Sequence, residues 1–182
     1  MLTHTPGELR SRPYPPHWTV RAGRDAYLAE NRFTVAAYDE PTTEANFFGL
    51  RVRVPNTPRH RRALRVHDLH HVVTGYGTDL IGEGEISAWE LRRGLRPCGA
   101  YVASIVTAGA AFGFLIAPRR IIRAFQRAAG KRSLFHLKEE DYEGLLDLSI
   151  GALRVELGVP AEGLANRPRR LHWGARPRRS AA

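Results

Sequence analysis

Cys98 is the chain's single cysteine, so neither an internal disulfide nor a cysteine-based zinc finger can form. That usage fits a reducing compartment. Residues 1–24 carry charges and prolines without a continuous apolar run, so no secretory leader is expected there. Pro6, Pro13, Pro15 and Pro16 also break any amphipathic presequence helix. "GYGTDLIGEG" (Gly75–Gly84) has neither the lysine of a phosphate loop nor the GxGxxG spacing after a strand, which excludes the common nucleotide cradles. No repeat at solenoid periods is visible. Lysine is scarce, so the net charge of +10 comes almost wholly from arginine.

What remains reads as a mainly α protein. A chain of 182 residues with 43% apolar composition suits one globular domain with a real core. With Pro55, Pro58, Pro97, Pro118 and Pro160 as punctuation, the intervening stretches are mostly helical in pattern. The expected architecture is a compact helical domain over 22–160, carrying a metal site on a helix-turn-helix hairpin. An extended arm precedes it (1–21) and a basic Arg/Pro-rich tail follows (161–182). "RPRRLHWGARPRR" (Arg167–Arg179) has no compensating acid, so it is either attracted to phosphate or simply solubilising. No zinc-finger, homeodomain or RNP pattern accompanies it, which disfavours nucleic acid as the partner.

Local signals place the elements. A first helix is predicted over Gly23–Tyr38, a turn-rich link over Asp39–Gly49, and a short strand or extended connector over Gly49–Pro55. Thr57-Pro58 is a helix start, with threonine as N-cap and proline at the first position, and that helix should stop near Thr74 before two glycines. Thr78 or Asp79 caps the next helix, ending near Gly94. A final helix is predicted over Lys138–Leu157, with Leu146, Ile150, Leu153 and Leu157 as its core stripe and Glu139, Glu140 and Asp141 in its first turn.

Gly99–Ala117 holds 19 residues without a charge, with Arg92, Arg93 and Arg96 at one end and Arg119 and Arg120 at the other. Three readings are open: a buried helix, an interfacial segment or a membrane span.

The chemistry concentrates in "HDLHHVVTGYGTDLIGE" (His67–Glu83). At ~100° per residue, His67, Asp68 and His71 share an arc of about 100° on one helix face, and His70 falls outside it. A reversal over Gly75–Thr78 puts His71 and Glu83 at about 6 and 7.5 Å from the turn, level with each other on an antiparallel pair. Two imidazoles and two carboxylates suit a borderline divalent ion, zinc first, with iron or manganese as the alternatives. The competing reading is a solvated helix face, because Val66, Leu69 and Val73 cluster on the opposite side. Glu90, two turns beyond Glu83, is expected to be exposed or else to orient a ligand. Trp89, Trp173 and His136 are assigned to packing or surface.

His67-Asp68-Leu69-His70-His71, eleven residues, then Glu83 resembles the HDxxHx₁₁E signature of the coenzyme Q biosynthesis protein 4 family. The likeness runs through Arg65–Leu91, including the Thr-Gly after the histidines and the Gly-Glu at the end. The resemblance implies a mainly helical protein with a divalent metal held by His67, Asp68, His71 and Glu83, the same four residues being the catalytic set. It also implies ubiquinone biosynthesis, with removal of the carboxylate at ring carbon 1 of a polyprenyl-hydroxybenzoate and hydroxylation there. Activity would then be that of a metal-dependent decarboxylase of the lyase class. The partners implied are a polyprenylated aromatic lipid, other quinone-biosynthesis enzymes and an anionic membrane surface, in a cytoplasmic, peripheral location. A homodimer is a further option. The alternatives are a non-catalytic prenyl-lipid-binding or assembly protein, and an HD-type phosphohydrolase using His60 with Asp141 or Asp147.

Overall fold

The structure, a computed structural model, describes residues 13–47 and 50–165. It is mainly helical, as the pattern predicts, with seven α-helices among the described residues: α1 (Val20–Glu30), α2 (Pro58–Thr74), α3 (Leu80–Arg93), α4 (Gly99–Ile116), α5 (Pro118–Arg127), α6 (Tyr142–Leu146) and α7 (Ile150–Leu157). A two-stranded antiparallel hairpin, β1 (Thr42–Phe47) and β2 (Leu50–Pro55), leads into α2, with Thr42 opposite Pro55 and Thr43 opposite Val54. The arginine-rich run 167–179, with Trp173, lies outside the described residues.

The helix ends follow local chemistry. The Thr57 hydroxyl accepts from the His60 amide while Pro58 opens α2, and Gly75 closes it at φ 78°, a left-handed cap that suits glycine. The Asp79 carboxylate accepts from the Ile81 and Gly82 amides at the head of α3, and Gly94 ends it. α2 is the central helix. Its Leu69, Val72 and Val73 are buried with Val20, Leu146, Ile150 and Leu153 from α1, α6 and α7.

Four expectations need correction. The first helix ends at Glu30 rather than Tyr38: Arg32 sits at φ 60°, and a separate 3₁₀ turn, Val35–Asp39, follows. Thr42–Phe47 is not a link but a strand, because β2 offers it a pairing edge. The helix predicted over Lys138–Leu157 is broken. After a 3₁₀ turn and α6, the chain runs extended at Ser149, where the Val20 amide donates to Leu148 O and the Ile150 amide to Trp18 O. Backbone pairing with the chain before α1 replaces the helical bonds lost there, and Leu146, Ile150, Leu153 and Leu157 are nevertheless all buried. The arms are also shorter than drawn. Tyr14 is buried, α1 already starts at Val20, and Leu164 is buried with its amide donating to Thr74 O.

α4 is neither buried all round nor isolated. Val102, Val106, Ala110 and Gly113 face the core, whereas Tyr101, Phe112, Phe114 and Ile116 are exposed and Leu115 is 78% exposed. With the preceding turn it forms a 21-residue element, Arg96–Ile116, long and apolar enough to cross a membrane. It crosses α3 at small residues. A Cβ on Gly84 would lie 2.7 Å from the Gly113 Cα, and one on Gly109 2.6 Å from the Ser87 hydroxyl. α5 locks the same side of α3 through a bidentate pair from Arg120 to the buried Glu85, at 2.9 and 2.5 Å.

Candidate metal centre

α2 and α3 run antiparallel from the Gly75 cap, and their facing turns pair in reverse order. Glu83, in the first turn of α3, meets His67 and His71, and Glu90, seven residues on, meets His67 and His70. The matched heights expected from the spacing are therefore realised. His67, His71 and Glu83 each present a ligand atom within 4.8 Å of the others, and this group could hold a metal ion.

The distances suit a metal. His67 Nε2 lies 3.1 Å from His71 Nε2, and the Glu83 oxygens straddle the pair at 3.4 Å from His67 Nε2 and 3.5 Å from His71 Nε2. Donors about 2.0–2.1 Å from a tetrahedral ion stand ~3.3 Å apart, so these edges need little adjustment. The outer nitrogens are already committed. His71 Nδ1 donates to the Tyr76 carbonyl at 2.9 Å, and His67 Nδ1 donates to Glu90 Oε1 at 2.9 Å. A carbonyl and a carboxylate accept only, so both rings carry their hydrogen on Nδ1. Neutral rings in that tautomer would oppose two Nε2 lone pairs at 3.1 Å, and only a proton or a cation between them relieves it. Carbonyl and carboxylate partners on Nδ1 are also the outer contacts that metal-bound imidazoles characteristically make.

Charge points the same way. Burial opposes a charged His67, yet Glu90 and Glu83 around it hold its pKa well above the usual histidine range. Glu83 and Glu90 are themselves pulled down against the cost of burial, Glu83 chiefly by His71 and His67 and Glu90, to about 2, by His67 and His70. Two carboxylates thus face a histidine that they favour in its charged form, and a divalent ion can take the place of that charge. Below the raised His67 pKa, metal binding must expel a proton from that ring, so affinity should climb with pH through neutrality and level off only above that pKa. Calorimetry in buffers of different ionisation enthalpy should find about one proton released per ion near pH 7. Zero release would contradict the protonated His67.

Asp68 is not among the converging atoms. It is buried and accepts from the Tyr38 hydroxyl in a short hydrogen bond. Burial raises its pKa despite His67 and that hydroxyl, and burial with the Asp68 charge raises those of Tyr38 and Tyr27. The Tyr27 ring stacks on His71 at 5.3 Å, closing the site on its α1 side. The solvated-face reading of α2 falls here, since His70, His71 and Asp68 are all buried. Glu90, expected to be exposed, is 0% exposed. Its place two turns beyond Glu83 was the available signal, whereas nothing local marks Tyr38, thirty residues before Asp68. His60 sits elsewhere, with Nδ1 against Pro55 O and its ring edge-on to Tyr101, Asp141 is exposed in the 3₁₀ turn Glu139–Asp141, and Asp147 pairs with Arg21 at the surface. The phosphohydrolase set therefore does not assemble. The open side lies at Glu83, whose side chain is 39% exposed, and at His67, 21% exposed.

Gly82 fixes where Glu83 starts. A Cβ there would lie 2.2 Å from the Gly77 carbonyl oxygen and 2.5 Å from its carbon, both backbone atoms that cannot swing aside. Gly82→Ala should cost about 1–3 kcal/mol and weaken metal binding together with stability. Gly144→Ala in α6 meets nothing within 4 Å and should be neutral or stabilising by about 0.5–1 kcal/mol. Thermal melts of the two variants, with and without Zn²⁺, check the contrast.

Compared with protein-family models, curated proteins and solved structures, the chain matches none of them.

Proposed function

We propose that this chain is a metal-dependent ubiquinone-biosynthesis protein that removes the carboxylate at ring carbon 1 of a polyprenyl-hydroxybenzoate precursor and takes part in hydroxylation there. The observation that supports it is the convergence of His67 Nε2, His71 Nε2 and the Glu83 carboxylate, with both Nδ1 atoms already committed. It coincides with the HDxxHx₁₁E spacing. The donor set of two imidazoles and a carboxylate fits zinc, with iron or manganese as alternatives. A bound divalent ion supplies Lewis acidity to the ring's oxygen substituents, worth several kcal/mol as charge develops on loss of the carboxylate.

The chain's own groups do the rest. His67, His71 and Glu83 hold the ion, and Tyr27 keeps water from its α1 side. Asp68, held by Tyr38, presents a fixed carboxylate beside the centre rather than a ligand to it. Plain decarboxylation releases CO₂ and returns a proton to the ring carbon. Replacement of the carboxylate by hydroxyl consumes in addition O₂ and two reducing equivalents and releases water. A redox-inactive ion provides no electrons, so that half belongs to an iron-loaded form or to a partner flavoprotein. A cytoplasmic, membrane-peripheral location goes with this reading, and other quinone-biosynthesis enzymes or a second copy are its protein partners. The apolar outer side of α4 would meet the isoprenoid tail or the bilayer, and exposed Ile122 and Phe125 of α5 stand among Arg119 and Arg123, which suit anionic headgroups.

A non-catalytic lipid-binding or assembly role is the second reading, and one observation favours it. The apolar surface lies on the outside of α4, and neither of two clefts along α2 is lined by His67, His71 or Glu83. Incubation of metal-loaded protein with a prenylated hydroxybenzoate, with and without O₂ and reductant, separates the readings. CO₂ release that disappears in His71→Ala supports the enzyme. Stable binding without turnover supports the second reading, and neither binding nor turnover contradicts both.

A further inference from the structure

We propose that Glu90 and His70 form a positioning pair that aims the metal-facing nitrogen of His67 and strengthens it as a donor. The inference rests on the metal reading above and adds two residues outside its ligand set. Glu90 Oε1 accepts from two imidazoles at once, His67 Nδ1 at 2.9 Å and His70 Nδ1 at 2.7 Å. His70 has a fixed tautomer, because the Leu134 amide donates to its Nε2 at 2.9 Å, which leaves the hydrogen on Nδ1, pointed at Glu90. Trp89 and Phe135 wall the His70 ring edge-on, each with its centroid 5.0 Å away. Neither residue of the pair can swing, since both are wholly buried.

The other carboxylate oxygen, Oε2, is buried without a hydrogen-bond partner among the described residues. Such a group is expensive to keep, and an apolar side chain of similar volume would pack the same space at lower cost. What the carboxylate does provide is a full negative charge, undiluted by solvent, delivered through one oxygen to the back of His67. That polarises the Nδ1–H bond and raises the donor strength of Nε2. His70 makes the arrangement rigid by occupying the second lone pair of Oε1. Through Leu134 the pair also ties the metal centre to the 3₁₀ turn Leu134–His136.

Titration of the full chain with Co²⁺ and Zn²⁺ tests the pair. Glu90→Gln keeps shape and loses charge, and should bind about 10–100-fold more weakly, with a displaced Co²⁺ visible band. His70→Asn places an amide N–H where Nδ1 was and keeps the bond to Glu90, so its affinity should stay within about threefold of wild type. His70→Gln places its amide where Nε2 was and loses that bond, and should bind about tenfold more weakly. Asparagine leaves the larger void and glutamine nearly fills the space, so a loss in His70→Asn as large as or larger than that in His70→Gln would reduce His70 to packing and overturn the proposal. Unchanged affinity and spectrum in Glu90→Gln, with wild type binding normally, would overturn it as well. Failure of wild type itself to bind either ion would instead sink the metal reading.

Discussion

His71→Ala and Glu83→Ala each weaken Zn²⁺ binding by roughly a thousandfold, about 4 kcal/mol, when measured against a chromophoric chelator. The figure follows from sharing the ~10–16 kcal/mol of a protein zinc site among three or four ligands. His67→Ala belongs with them. Asp68→Asn does not: its carboxylate is engaged by Tyr38 and stands outside the converging group, so affinity should fall by less than about tenfold, below the ~10–100-fold of an outer contact to a ligand. The family resemblance counts Asp68 as a ligand and the geometry does not, so this variant decides between them. A loss in Asp68→Asn as large as in His71→Ala would restore Asp68 to the ligand set. Fold stability of the metal-free proteins serves as the control, because Glu83 is partly exposed and its removal opens no core cavity.

The second large effect concerns Arg154, which is 0% exposed and has no carboxylate partner among its bonds. Its guanidinium donates to four carbonyls: Val73 at 2.8 Å, Val72 at 3.5 Å, Tyr14 at 3.0 Å and Ala161 at 2.7 Å. Two of these are at the C-terminal end of α2, where the helix dipole favours a cation. Tyr14 and Ala161 belong to the segments flanking the bundle. One side chain therefore binds both flanks to the helix that carries His67 and His71. Burial lowers its pKa, but an arginine remains charged. Arg154→Met fills much of the volume and leaves buried carbonyls unpaired. It should cost about 3–5 kcal/mol, or roughly 10 °C in melting temperature for a domain of this size. Arg154→Lys should recover little, since a single ammonium cannot reach four acceptors spread around a planar fork. A loss below about 1 kcal/mol in Arg154→Met would show that the carbonyls find other donors.

Much of the site was legible because its determinants are local. Thr57-Pro58, Gly75, Asp79 and Gly94 set the ends of α2 and α3, and helix rise then fixes Glu83 at the height of His71. What escaped reading depends on partners distant in sequence. β1 exists because β2 lies beside it, and the break before Ile150 is compensated by backbone bonds to Trp18 and Val20. Asp68, expected among the converging atoms, is engaged by Tyr38 instead, a partner which no spacing announces. Glu90 looked solvent-facing because a carboxylate is rarely buried without pairing, and its two imidazole partners lie on another helix. The nineteen uncharged residues of Gly99–Ala117 gave a helix correctly, but composition alone could not show that only one face would be covered.

X-ray absorption at the zinc edge of the loaded wild-type protein probes the centre most directly. Two imidazole shells and a carboxylate oxygen at about 2.0–2.1 Å are expected, with one imidazole contribution lost in His71→Ala. A first shell of water oxygens alone, or a spectrum indifferent to that substitution, would mean that the facing nitrogens of α2 share a proton and not a metal.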